Sequence, residues 1–234
     1  MNQGSKKGFT IIELMLSMSF VSLLLMAIAV TTIQISNIYN KGITLREVNQ
    51  AGRAISDDIG RTISQSEPFD VDTTSPTTRY IVKPGGGRLC TGRFTYAWNL
   101  GSAIRGGAGA PAIYNKYTAG TVQVRFVKVT DNGGSLCDNP ASNIVKANAT
   151  EQLNSGDRDL VVHLFTVTKG SEDLIIKQAL YSVVITLGTN DSSQLLANDT
   201  SCRAPSAGSG DEDYCSVNQF TITTRAGNKV STGY

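Results

Sequence analysis

Few side chains in this sequence are of a type and spacing that could do chemistry, and most fail on spacing. The single histidine, His163, stands in the apolar run Val161-Val162-His163-Leu164-Phe165, and no Ser or Cys nucleophile pairs with it as a general base. Four cysteines, Cys90, Cys137, Cys202 and Cys215, contain no CxxC pair, so with one histidine they lack the usual spacing of a zinc site. Asp211, Glu212 and Asp213 are consecutive, whereas a calcium loop spaces its ligands, so they read as a solvated acidic loop. Pro84-Gly85-Gly86-Gly87 lacks the Lys-Ser/Thr of a phosphate loop and reads as a turn. Glu13 is different, because it sits at the mouth of an apolar run. A carboxylate there costs about 2.5–3.5 kcal/mol in a membrane helix, so it should seek a cation or a proton.

The element that positions Glu13 is the apolar run itself. From Leu14 to Ile33 there are 20 residues without a charge, a helix of ~30 Å, which matches the hydrocarbon core of a bilayer. Lys6 and Lys7 precede it, so the positive-inside bias holds that end in the cytoplasm and sends residues 40–234 outward. Those two lysines also account for the whole formal charge of +2. The rest of the chain is charge-balanced and offers no electrostatic basis for nucleic-acid binding. With 40% hydrophobic residues, the sequence has the composition of a folded protein. An ordinary secretory signal would be cut after Ala27-Ile28-Ala29 to start the mature chain at Val30, and a plain signal anchor would keep Met1. Neither explains a carboxylate at the start of the apolar run.

The heptapeptide Lys7-Gly8-Phe9-Thr10-Ile11-Ile12-Glu13, followed by Leu14 and the unbroken apolar run, closely resembles the class III signal of type IV prepilins and type II secretion pseudopilins. The resemblance implies a leader, residues 1–8, that a prepilin peptidase and methyltransferase removes between Gly8 and Phe9 before N-methylating Phe9. It implies that the apolar helix stays on the mature protein and that Glu13 serves assembly by pairing with the amino terminus of an adjacent subunit. The implied partners are other pilins in a filament, an inner-membrane assembly platform, and membrane lipid before assembly. The implied location is the cytoplasmic membrane, as a single-pass protein, and then a pilus or pseudopilus at the cell surface or in the periplasm. No cofactor and no catalytic activity go with it.

Beyond the membrane segment, Leu45, Val48, Gly52, Ile55, Ile59 and Ile63 recur at three- and four-residue spacing, with Arg46, Glu47, Asn49, Arg53, Asp57 and Arg61 between them. The spacing predicts one helix over residues 9–64, ~84 Å long, whose outer half lays an apolar stripe on a globular domain. Asn37, Asn40 and Gly42 weaken it and predict a bend near residues 37–42. Many major pilins carry a Pro in the membrane half, and this chain has none before Pro68. Residues 49–61 are similar to the second helical half of W-type minor pilins and J-type pseudopilins, although Gly60 interrupts the pattern before Arg61.

Residues 66–234 read as strands separated by Gly, Asn, Asp and Ser. Short strands are expected at 79–83 and 93–98 around the glycine run, and alternation places Phe94, Tyr96 and Trp98 together on the core side. Thr121 to Val129 changes phase, which a bulge near Phe126 would explain. Leu160 to Val167 and Leu174 to Leu187 read as central strands joined through residues 168–173, and Phe220, Ile222 and Thr224 as a terminal strand. Gly101 to Pro111 reads as a small-residue loop. The expected fold is α+β, a long N-terminal helix packed on a C-terminal antiparallel β-sheet domain. Cys202 and Cys215 enclose a polar loop whose closure by a disulfide is worth about 3 kcal/mol. That leaves Cys90 with Cys137, among three possible connectivities. Pilins commonly close a carboxy-terminal loop this way. N-glycosylation sequons begin at Asn148, Asn190 and Asn198.

The functional expectation is a structural, minor subunit of a type IV pilus or related pseudopilus. The alternative is a secreted or membrane-anchored extracytoplasmic binding module; an anchored enzyme lacks a polar catalytic cluster.

Overall fold

A computed structural model describes residues 8–118, 122–153, 158–173, 175–196, 199–203 and 214–227. Lys6, Lys7, Thr121, Leu174, Asn198 and the Asp211–Asp213 run lie outside the described residues. The chain begins with one 54-residue helix, α1 (Ile11–Ser64), which continues without a break through Asn37, Asn40 and Gly42. Its start is a capping box. The Thr10 hydroxyl accepts the Glu13 N–H at 3.3 Å, and the Glu13 carboxylate accepts the Thr10 N–H at 3.4 Å. Gln65 closes the other end with its N–H on the Arg61 carbonyl at 3.2 Å.

The rest is an antiparallel β domain of two sheets rather than the single sheet expected. The first joins β1 (Tyr80–Lys83), β2 (Gly86–Cys90), β3 (Phe94–Asn99), β4 (Phe126–Thr130) and β5 (Ala149–Glu151) in chain order; the second joins β6 (Leu160–Asp173), β7 (Gln178–Thr189) and β8 (Val217–Ala226). Short helices α2 (Gly101–Arg105) and α3 (Ser135–Asp138) lie in the connections. A parallel bridge between Leu100 and Val162 ties the sheets together. Their inner faces and the outer half of α1 share one core. In it Ile55, Ile59 and Ile63 meet Leu89, Tyr96, Trp98 and Phe126 from the first sheet and Phe165, Val183 and Ile185 from the second. The Trp98 and Phe165 ring centroids are 4.3 Å apart.

Several local expectations are corrected. Only Pro84-Gly85 forms the turn, and Gly86 and Gly87 open β2. A side chain at Gly87 would enter the space of the Trp98 ring, so glycine serves close packing there rather than chain reversal. Phe126 starts β4, which makes the phase change a strand boundary and not a bulge. Residues 168–173 continue β6, with register shifts between Val162 and Leu164 and between Lys169 and Glu172. β6 is an edge strand, because it pairs only with β7. Residues 101–105 form α2 instead of loop.

The outer face of the first sheet carries a second apolar cluster of Ala97, Val124, Val127, Val129, Leu136 and Ile144. Beside it lies Arg88, a fully buried guanidinium. Its donors reach Asn115 Oδ1 at 2.8 Å and the Leu136 and Ser142 carbonyls at 2.7 Å each. Asn115 and Asn99 then hold the irregular connection between α2 and β4 against the sheet through further buried hydrogen bonds. Burial holds the Arg88 pKa below its ordinary value. Cys90–Cys137 fastens α3 to β2 on this face.

Candidate functional site

The candidate site is the surface of α1, and its two halves are built differently. Gly8 is exposed, with nothing near the position of a Cβ, and Phe9 is 78% exposed. From Ile11 to Tyr39 the helix touches no other element closely enough to bury a large apolar side chain. This stretch is ~44 Å long. It belongs to the one helix among the described residues that is long and apolar enough to cross a membrane.

Hydroxyl groups in the apolar run are handled within the helix. The five hydroxyls between Leu14 and Ile33 all bond back to carbonyls of the preceding turn: Ser17 to Leu14 at 2.9 Å, Ser19 to Met15 and Ser22 to Met18 at 2.8 Å, Thr31 to Ile28 at 2.9 Å, and Thr32 to Ile28 at 2.8 Å. Between Leu14 and Ile33 the helix can therefore face an apolar medium with no unsatisfied hydroxyl donor, the condition a lipid environment imposes. Glu13 is engaged by Thr10, whose hydroxyl is 3.2 Å from Oε2. Sequence reasoning offered Glu13 a cation or a proton and missed this partner. Thr-x-x-Glu before an apolar run is the capping-box signature, and it was there to be read.

The outer half begins where Thr44 and Val48 become fully buried. Two polar contacts mark the entry: Asn40 Nδ2 donates to the Tyr214 hydroxyl at 3.5 Å, and Asn218 Nδ2 to Asn49 Oδ1 at 2.6 Å. β8 covers the stripe, with Phe220 and Ile222 packed on the core and the Phe220 ring filling the space beside Gly52. A polar latch ties the same helix to the first sheet. Asp58 takes Lys128 Nζ at 2.8 Å and the Tyr96 hydroxyl at 2.7 Å, and Thr62 Oγ1 lies 2.7 Å from the same hydroxyl. Lys128 Nζ also sits 4.3 Å from the Phe94 ring centroid, which leaves Phe94 half-buried while Tyr96 and Trp98 are enclosed. Burial, and then the Asp58 carboxylate, push the Tyr96 phenol pKa far above its ordinary value, so it remains a donor. Thr62 falls on the face of Ile55 and Ile59, the one sequence sign that a polar group would be buried there.

The structure pairs Cys202 with Cys215 as well as Cys90 with Cys137, and no cysteine is free. Cys202–Cys215 sits beside Tyr214, so it braces the base of the domain at the point where α1 enters. His163 is a packed strand residue. Its Nε2 faces the Thr189 carbonyl at 3.2 Å, and burial lowers its pKa, keeping the imidazole neutral. Of the sequons, Asn148 is exposed, while the Asn190 side chain is taken up by Arg105 and Asp159. Comparison with family models, with curated proteins and with solved structures finds no match to this chain.

Proposed function

We propose that this chain is a structural, minor subunit of a type IV pilus or related pseudopilus. In this reading a prepilin peptidase and methyltransferase processes it at Gly8–Phe9, and it joins other pilins through the free surface of α1. What supports it most is the conjunction of the Gly8-Phe9-Glu13 signal with a ~44 Å apolar helix surface that the chain's own domain leaves uncovered. Water is a poor solvent for that surface. Each large apolar side chain gains about 1.5–3 kcal/mol on burial, so membrane lipid covers the helix first, and neighbouring helices take lipid's place in the filament.

Glu13 supplies the register in this account. Removing residues 1–8 creates an amine on Phe9, four residues before Glu13 and just outside the helix that Thr10 caps. The carboxylate, held in the precursor by a neutral Thr10 cap, then has a cation to choose, its own or that of an adjacent subunit. The outer half, clamped by β8 and the Asp58 latch, carries the domain rigidly at the end of the helix and holds it outside the membrane. A cut after Ala29, as the secreted-module reading requires, would strand the exposed Val30, Ile33, Ile35, Ile38 and Tyr39 on a soluble protein.

The test is the amino terminus of the mature chain, read by mass spectrometry of membrane and sheared-filament fractions. N-methylated Phe9 is expected. Val30 at the terminus would replace the proposal with a secreted module, and Met1 with a plain anchored protein.

A further inference from the structure

A pocket of about 470 Å³ opens between α2, the start of β6 and the segment after β7, walled by Arg105, Arg158, Asp191, Ser192, Gln194 and Tyr214. Unpartnered polar atoms gather there. Gln194 is only 7% exposed, and its Nε2 donates to Asp191 Oδ2 at 3.0 Å. That bond sets the orientation of the amide and leaves Oε1 enclosed without a donor. Arg158 lays its guanidinium 5.0 Å from the Tyr214 ring centroid, with Nε enclosed and without an acceptor. Behind the Thr189 wall, His163 Nδ1 is likewise unmatched. Elsewhere among the described residues such atoms occur singly on α1, at Glu47 and Ser56.

Charge narrows the ligand. Two arginines face two carboxylates, Asp159 and Asp191, across the pocket. Arg105 is already paired with Asp199, and Asp159 with Arg125. An anion would meet the carboxylates and a cation the guanidinium groups. What remains to be satisfied is one acceptor, Gln194 Oε1, and one donor, Arg158 Nε, beside an aromatic ring. A hydroxyl both donates and accepts, and a ring bearing several of them has an apolar face for tyrosine.

We infer that this pocket binds a neutral, hydroxyl-rich ring, the sugar unit of a glycan. Both atoms are enclosed, so binding in this way requires Arg158 to leave the Tyr214 ring and Gln194 to turn its amide toward the ligand. The site lies at the base of the domain, since Tyr214 also meets Asn40 where α1 enters. There it can be reached by a soluble or wall glycan and by the head group of a glycolipid. The inference does not depend on the filament reading.

The experiment uses the full chain in lauryldimethylamine oxide micelles, a detergent without a sugar head group, titrated calorimetrically with triacetylchitotriose, with maltotriose and with sulfate. A second arm places the chain in lipid nanodiscs with and without monoglucosyldiacylglycerol. Saturable binding of either trisaccharide is expected, and binding of the glycolipid alone would assign the head group as the source. Gln194→Leu should weaken binding roughly tenfold. Ser192→Trp, at an exposed rim position where folding is spared, should abolish it by filling the mouth. Binding of sulfate in place of sugars, no binding by any of the sugars, or unaltered binding in Ser192→Trp would each overturn the inference.

Discussion

The two halves of α1 differ less in how greasy they are than in how the grease is arranged. Between Ile11 and Tyr39 the large apolar side chains point all round the helix and stay 47% to 79% exposed. Between Thr44 and Ile63 the enclosed residues Val48, Ile55, Ile59 and Ile63 form one stripe, which Thr44 opens in place of the expected Leu45, still 49% exposed. A stripe needs one partner, and the β domain provides it. A helix that is apolar on every side needs a medium, and no single domain can wrap it. The same backbone element therefore belongs to two stability problems. The outer half is solved within the chain, and the inner half is left to whatever surrounds it.

The hardest way to break this contrast is to delete buried volume on one side and exposed volume on the other. Ile59→Ala should lower domain stability by about 2–5 kcal/mol, because the cavity opens where the helix and both sheets meet. Leu24→Ala removes a comparable group from the free half and should leave the unfolding midpoint of the domain unchanged in micelles. Equal losses from the two variants, measured by denaturant unfolding of the full chain, would mean the inner half is part of the domain after all.

A smaller effect separates the polar groups of the two halves. Asp58→Ala leaves the Lys128 ammonium, whose side chain is 19% exposed, without its carboxylate and the Tyr96 hydroxyl with one partner fewer. The expected cost is about 1–3 kcal/mol. Glu13→Ala breaks only exposed hydrogen bonds at the helix start and should not move the domain midpoint. If Asp58→Ala is silent in the same unfolding assay, the latch is an ornament, and packing alone clamps the helix.

Local periodicity made α1 and β8 readable, since a stripe at three- and four-residue spacing and a short alternation each point to one kind of element. The capping box at Thr10 is equally local, because Thr-x-x-Glu ahead of an apolar run carries both halves of the motif within four residues. What stayed hidden depends on distant chain. Gly86 and Gly87 look like a turn until Trp98 is known to lie across them. Nothing near Arg88 in sequence announces a buried guanidinium, because its acceptors come from Asn115, Leu136 and Ser142. The division into two sheets follows from which strands pair, and that is decided by non-local contacts that residue patterns do not encode. The pocket beside Gln194 was invisible for the same reason.

Two glycines give the finest test of the comparison, because the same substitution should have opposite signs in the clamped half and at the junction. A Cβ at Gly52 would fall within the Phe220 ring, so Gly52→Ala must drive that ring out of its seat on the helix and should cost about 1–3 kcal/mol. At Gly42 nothing lies within 4 Å of the position, and the backbone is helical rather than left-handed. Alanine there meets no neighbour and removes the entropic penalty of glycine, so Gly42→Ala should stabilise the local helix by ~1 kcal/mol. Asn37, Asn40 and the β-branched Ile35, Ile38 and Ile43 around it are weak helix formers, which makes the gain visible locally. Amide hydrogen exchange of residues 36–44 in micelles should slow by about fivefold, the factor that ~1 kcal/mol gives at room temperature, while exchange in β7 and β8 stays as it was. Exchange that is unchanged or faster at residues 36–44 would place the end of the rigid helix before Gly42. The junction between the two halves would then be a joint, and the domain would hang from the apolar half instead of being carried by it.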